Sequence, residues 1–194
     1  AQARTRLYFE KGQVLARGFL EAGDHVFVDR VTLNFGNPER GDIMVFLTDG
    51  VKKKNGEPLR GRYYIKRLVG MPGDELQIRA DNRLYVRRPG ADTFTLVDEA
   101  VDPAFPRIYS KERGYSGYTH PQHHLVQHLA SPGDVYRVPE DSYFMLGDNS
   151  PNSQDSRFWG SVPRRNLVGQ AALVWWPFSP RWGIVDTVAP ATEN

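Results

Sequence analysis

Apolar and polar residues follow each other with a period of two through most of this sequence. The runs HVFVDRVTL (25–33), DIMVFL (42–47), RYYIKRLV (62–69), ELQIRA (75–80), RLYVRR (83–88), TFTLV (93–97), SYFMLG (142–147) and LVGQAALVWW (167–176) are rich in β-branched and aromatic side chains and read as strands. Turn chemistry separates them: ADN at 80–82 predicts a tight hairpin, and NPERGD, MPGD, SPGD and VPED are proline, glycine and aspartate turns. No stretch of a dozen residues holds a 3.6-residue period, so the fold class is mainly β. Residues 98–133 break the pattern. They combine Pro, Gly and Tyr with four of the five histidines, and PQHHLVQHL (121–129) is their only plausible short helix. Such a segment reads as a loop-rich insertion on the surface, used or merely tolerated.

With 194 residues, 40% of them hydrophobic and 25% charged, the chain suits one globular domain, its core about 23–97 and 134–188 with the insertion between. The 25 basic and 23 acidic side chains leave a net charge of +2 with the signs interspersed, so no electrostatic footprint for nucleic acid is present. Without cysteine there is neither a disulfide nor a thiolate site, and the compartment stays open. The longest apolar stretch, QAALVWWPF, is far shorter than the ~20 residues of a membrane-spanning helix. The opening AQARTRLYFEKGQ has no initiator methionine and no apolar signal-peptide core, and reads as the start of a processed or excised piece.

Candidate chemistry sits in two places. In an extended RYYIKRLV, Tyr64, Lys66 and Leu68 share one face and Ile65, Arg67 and Val69 the other, so each face carries one cation. Arg67 cannot lose its proton, whereas a desolvated lysine can become a neutral base near pH 7. The alternative is that both cations snorkel to water from a half-buried strand. The second place is GDNSPNSQDSRFWG (147–160), a polar run between an apolar strand and an aromatic pair. It is either an Asx/Ser turn that satisfies its own backbone, or a loop fixed by an Asp155–Arg157 pair that leaves the Ser153 hydroxyl free for an amine. His124 and His128 would share a helix face, but no acidic residue or third ligand is placed beside them, and no metal site is assigned.

RGDIMVF, YYIKRLVGMPGDEL and GDNSPNSQDSRFWGSVPRRNLVGQA, in that order, resemble the signature boxes of bacterial type I signal peptidases, membrane-anchored serine endopeptidases that remove signal peptides from exported preproteins. GDHVFVDR resembles the segment that follows their nucleophile box. The resemblance implies a fold of antiparallel sheets on the extracytoplasmic (periplasmic) side of the inner membrane. It also implies a Ser/Lys dyad that needs no cofactor. Lys66 would be the general base and Ser153 the residue that orients its amine. Asp155 and Arg157 would hold the loop, with Asp148 and Asn149 as supporting turn formers, and Tyr64 and Ile65 would wall the pockets that receive the preprotein.

One box departs from the family pattern. Counting S-M-x-P-T-L-x-x-G-D back from Gly23 puts Leu15 at the nucleophile, Ala16, Gly18 and Phe19 fill the next three signature positions, and only Leu20 agrees. No serine precedes Ser110, and the oxyanion hole of this family belongs to the same box. Two readings follow: a catalytic domain lying downstream of an insertion, with membrane anchor and nucleophile outside these residues, or a noncatalytic binding module on the same scaffold. An internal nucleophile, Ser150 or Ser153, would need a base in reach and an oxyanion site facing it.

Overall fold

The computed structural model describes residues 25–176, apart from 54, 60, 113 and 122, together with 183–184. The positions aligned with the nucleophile box lie outside the described residues. Two antiparallel sheets make up the fold. The larger contains β1 (His25–Asp29), β2 (Ile43–Leu47), β3 (Tyr63–Gly70), β8 (Ser142–Leu146), β9 (Val162–Pro163), β10 (Leu167–Trp176) and β11 (Gly183–Ile184). Its order is β1-β10-β2-β3-β8-β9, with β11 also on β10. The smaller runs β6 (Thr95–Leu96), β5 (Leu84–Arg87), β4 (Glu75–Ile78), β7 (Tyr136–Arg137). Short helices α1 (Thr32–Phe35), α2 (Ala104–Tyr109) and α3 (Ser156–Trp159) punctuate the loops.

All eight expected runs contain a strand, and the ADN hairpin forms with Asn82 at φ +61°, a left-handed value asparagine tolerates. The first run ends early. Asp29 accepts the N–H groups of Val31 (2.8 Å) and Thr32 (3.2 Å), which turns the chain into α1 instead of extending it to residue 33.

Strands β3 and β8 separate two cores by alternation. Leu68, Tyr143 and Met145 pack with Met44, Phe46 and Trp159, while Val69, Phe144 and Leu146 pack with Leu76, Ile78, Leu84 and Val86 of the small sheet. The passage between sheets runs through Gly70, where a Cβ would come within 2.7 Å of Leu76 Cδ1 and 2.8 Å of Phe144 Cβ. Just beyond it, Asp74 closes the MPGD turn by accepting Met71 N–H (2.6 Å) and pairing with Arg40 (2.7 Å).

Residues 98–133 are irregular, yet Ala104, Phe105, Ile108, Tyr118 and Leu129 are buried in the second core. The apolar face of the small sheet needs a cover, and this segment supplies one. Its helix is α2, not the expected 121–129. There the N–H groups of Gln127 and His128 both donate to the Arg157 carbonyl (2.9 and 3.1 Å), and Leu129 takes φ +51°, so no helical ladder forms. The shared-face argument for His124 and His128 therefore has no helix beneath it, and no group of three His, Asp or Glu side chains suited to a metal occurs among the described residues. No helix among them is long and apolar enough to cross a membrane.

Gly70→Ala is expected to cost about 1–3 kcal/mol by overpacking the junction, lowering Tm by roughly 2–4 °C per kcal/mol in thermal denaturation. An unchanged Tm would show that the sheets slide apart freely at this point.

Candidate active site

Lys66 lies in the middle of β3, cross-strand from the fully buried Met44. Its neighbour Tyr64 stacks on Trp159 (centroids 5.5 Å, planes 5° apart) and meets the edge of Phe46, and Lys66 Nζ lies 5.7 Å from the Tyr64 ring centre. The half-buried amine makes no hydrogen bond or ion pair among the described residues. Burial lowers its pKa by penalising the ammonium; the carboxylates of Asp155 and Asp148 pull the other way, and Arg157 adds to the lowering.

The polar loop after β8 faces this lysine. Ser153 Oγ is buried without a hydrogen-bond partner. It presses against Gly147, where a Cβ would clash with the hydroxyl and lie 2.7 Å from Ser153 Cβ and 3.5 Å from Lys66 Cδ. A cleft of about 300 Å³ is lined by Ile43, Ile65, Lys66, Gly147, Ser153 and the pair in which Asn152 Nδ2 donates to Asn149 Oδ1 at 3.2 Å. Ile65 is 43% exposed there. Tyr64 is not part of this cleft; besides its aromatic stack it lines a neighbouring one of about 240 Å³ with Lys53, Arg62 and Gln154.

Asp155 and Arg157 are paired, with both side chains at 0% exposure. Asp155 caps α3 and accepts Gly147 N–H at 3.1 Å, tying the loop's start to its end. All five guanidinium N–H donors of Arg157 are used: Nε and Nη2 on Asp155 (2.8 and 2.7 Å), Nη2 also on the Ser150 carbonyl (2.9 Å), and Nη1 on the Thr119 carbonyl and Ser150 Oγ (2.6 and 2.8 Å). Ser150 Oγ also accepts Thr119 N–H, and Ser150 is fully buried, so it has no freedom to act as a nucleophile.

Arg67 does not snorkel. It is 1% exposed and forks onto both carboxylate oxygens of Asp148 (3.0 and 2.9 Å), with Nη1 on the Gly41 carbonyl (2.6 Å) and Asp102 (3.5 Å). Asp148 is thus more than a turn former. Sequence reading missed this clamp, along with Asp102 and Thr119, and weighed Ser150 only as an internal nucleophile. Arg67 and Asp148 are 81 residues apart, and no local pattern links them.

The family model described as "Signal peptidase, peptidase S26" matches residues 16–176. Signal peptidase I of Pseudomonas fluorescens is 33% identical over 162 residues, 77% of this chain and 54% of that protein. Probable signal peptidase I-2 of Synechocystis is 34% identical over 167 residues, 86% of this chain and 61% of that protein. The chain therefore spans between half and two thirds of the length of these relatives. Among solved structures, a signal peptidase I from Enterococcus faecalis is 27% identical and has a TM-score of 0.47, over 70% of this chain and 97% of that one.

Arg157→Ala, which strands the buried Asp155 carboxylate, is expected to destabilise the protein by about 3–5 kcal/mol in chemical denaturation. Lys66→Met is expected to do the reverse. A lysine with a depressed folded pKa costs stability below that pKa, and the cost fades as pH rises toward the usual 10.5. The Tm gain of the Met variant should thus be largest below the lowered folded pKa and shrink as pH rises toward 10.5; a gain independent of pH would reject the buried-charge account.

Proposed function

The chain belongs to the signal peptidase family, peptidase S26, and on that premise we propose that it is the extracytoplasmic catalytic domain of a serine endopeptidase that removes signal peptides from exported preproteins. The observation that supports this most is a half-buried lysine with a lowered pKa and no hydrogen-bond partner, beside a buried serine hydroxyl that also has none. A structural lysine pairs with a carboxylate or reaches water. A general base needs a free lone pair near neutral pH.

In this reading the neutral Lys66 amine removes the proton of a serine hydroxyl as that oxygen attacks the scissile carbonyl, then returns the proton to the leaving amine. Ser153 Oγ, unpartnered in the structure, would accept an N–H of the Lys66 amine in the working enzyme and so aim its lone pair. Asp155 and Arg157 hold Ser153 in place, Asp148 secures the loop's start through Arg67, and the Asn149–Asn152 pair rims the cleft. In this reading the nucleophile lies outside these 194 residues: Leu15 occupies its family position, Ser150 is locked, and Ser153 is given to orienting the lysine. An extended preprotein lies along the cleft with small side chains in shallow pockets, Ile65 forming one wall and Tyr64 backing the strand. An anchor outside these residues holds the domain at the inner membrane.

In the full-length protein, Lys66→Ala is expected to lower preprotein cleavage by about 10²–10⁴-fold with an unchanged circular dichroism spectrum. The parent's kcat/KM should rise with pH, with a midpoint below 10.5, because the base acts only when unprotonated. Equal cleavage by parent and variant would end the dyad assignment. These 194 residues alone should leave the substrate uncut. A full-length protein that binds preproteins without cutting them would instead support the noncatalytic reading.

A further inference from the structure

Residues 98–133 reach both buried guanidinium groups. At one end, Asp102 approaches Arg67 Nη1 at 3.5 Å. Its side chain lies over Gly41, a residue at φ +109° where a Cβ would come within 2.8 Å of Asp102 Cβ. Further along, the Thr119 carbonyl accepts from Arg157 (2.6 Å) and its N–H donates to Ser150 Oγ (2.9 Å). The N–H groups of Gln127 and His128 then donate to the Arg157 carbonyl (2.9 and 3.1 Å), and Gln127 Nε2 donates to the Phe158 carbonyl (2.6 Å). These five bonds grip the polar loop near its start, at Ser150, and at its end, at Arg157 and Phe158. Ser153 lies between the two grips.

A segment that only covered the small sheet would need apolar side chains and turns that satisfy their own backbone. Phe105, Ile108, Tyr118 and Leu129 do provide the cover. Cover does not account for main-chain donors and acceptors directed at another loop's buried arginine. The ties at Ser150 and the Arg157 guanidinium are partly buried, where little solvent competes and a half-satisfied network is costly, while the Gln127 side chain adds an exposed bond at Phe158.

We infer that residues 98–133 are a positioning element of the site: rooted in the second core, they hold Ser150, Arg157 and Phe158, and so set the seating of Ser153 against Lys66. The inference rests on the reading of Lys66 as general base. Asp102, Thr119, Ser150 and Gln127 act through the arginines and Ser153, not on the substrate. Loosening the grip admits water to Lys66 and relieves the desolvation of its ammonium, so the lysine becomes harder to deprotonate.

The test uses Ser150→Ala, which removes the shared acceptor of Thr119 and Arg157, and Gln127→Ala, an exposed truncation that leaves the core intact. Ile108→Val, in the same segment but away from the loop, is the control. The first readout needs no cleavage: the pH dependence of Lys66 acylation, followed by mass spectrometry on this chain. Both loop-contact variants should move the Lys66 midpoint upward, Ser150→Ala further, with Ile108→Val unchanged. In the full-length protein the same two variants should lower kcat by about 10–100-fold with KM little changed, and shift the acid limb of the rate profile to higher pH.

A Lys66 midpoint that stays put in Gln127→Ala and in any folded Ser150→Ala overturns the inference, as does an equal shift in Ile108→Val. If the midpoint moves as expected while Lys66→Ala still cleaves like the parent, the positioning role stands and the dyad assignment falls. If the midpoint is fixed while Lys66→Ala is dead, the dyad stands and the positioning role falls.

Discussion

Two guanidinium groups cut off from water, those of Arg67 and Arg157, govern the architecture around the site. An ionised group in a low-dielectric interior is tolerable only when it is paired and its donors are filled. Arg157 meets that demand with Asp155, Ser150 and Thr119, drawn from its own helix cap, the loop before it and a segment 38 residues away. Arg67 meets it with Asp148, Gly41 and Asp102. Each requirement forces a piece of backbone to a particular place, and the walls of the cleft are largely what those placements leave behind.

Lys66 lies between these clamps, and its state follows from how they are occupied. The two carboxylates that would favour its ammonium, Asp155 and Asp148, are already committed to arginines. Arg157, paired with Asp155, offsets part of their attraction, and burial against Met44 and the Tyr64 stack outweighs the remainder. A lysine in this setting gives up its proton more readily than one in water, because its surround supplies little water and little uncompensated negative charge to hold the ammonium.

Strand β3 makes the arrangement possible with simple alternation. Tyr64 and Lys66 point to one side and Arg67 to the other, so a single turn-free segment serves the cleft and the clamp together. Leu68 and Val69 then enter different cores, and Gly70 lets the chain pass closely between Leu76 and Phe144 into the small sheet. The small sheet and its cover are therefore mechanically continuous with the strand that carries the lysine.

Alternation along short runs was enough to locate the eight main strands, because a half-buried strand writes its two faces into consecutive residues. The two-residue strands β7 and β9, unlike β6 within TFTLV, have no alternating run around them to leave that signature, and α2, with Pro103 before it and Pro106 inside it, is less than two turns long. The helix expected at 121–129 failed because its main-chain donors go to Arg157, a partner that lies outside any window of neighbouring residues. At the site, Lys66, Ser153 and the Asp155–Arg157 pair could be read from two short motifs, since each motif carries its own chemistry within a few positions. The meeting of Arg67 with Asp148, and of Thr119 with Ser150 and Arg157, could not. Those contacts join residues 31 to 81 positions apart, and only the packing of two sheets and their cover into one interior gives buried charges a reason to find them.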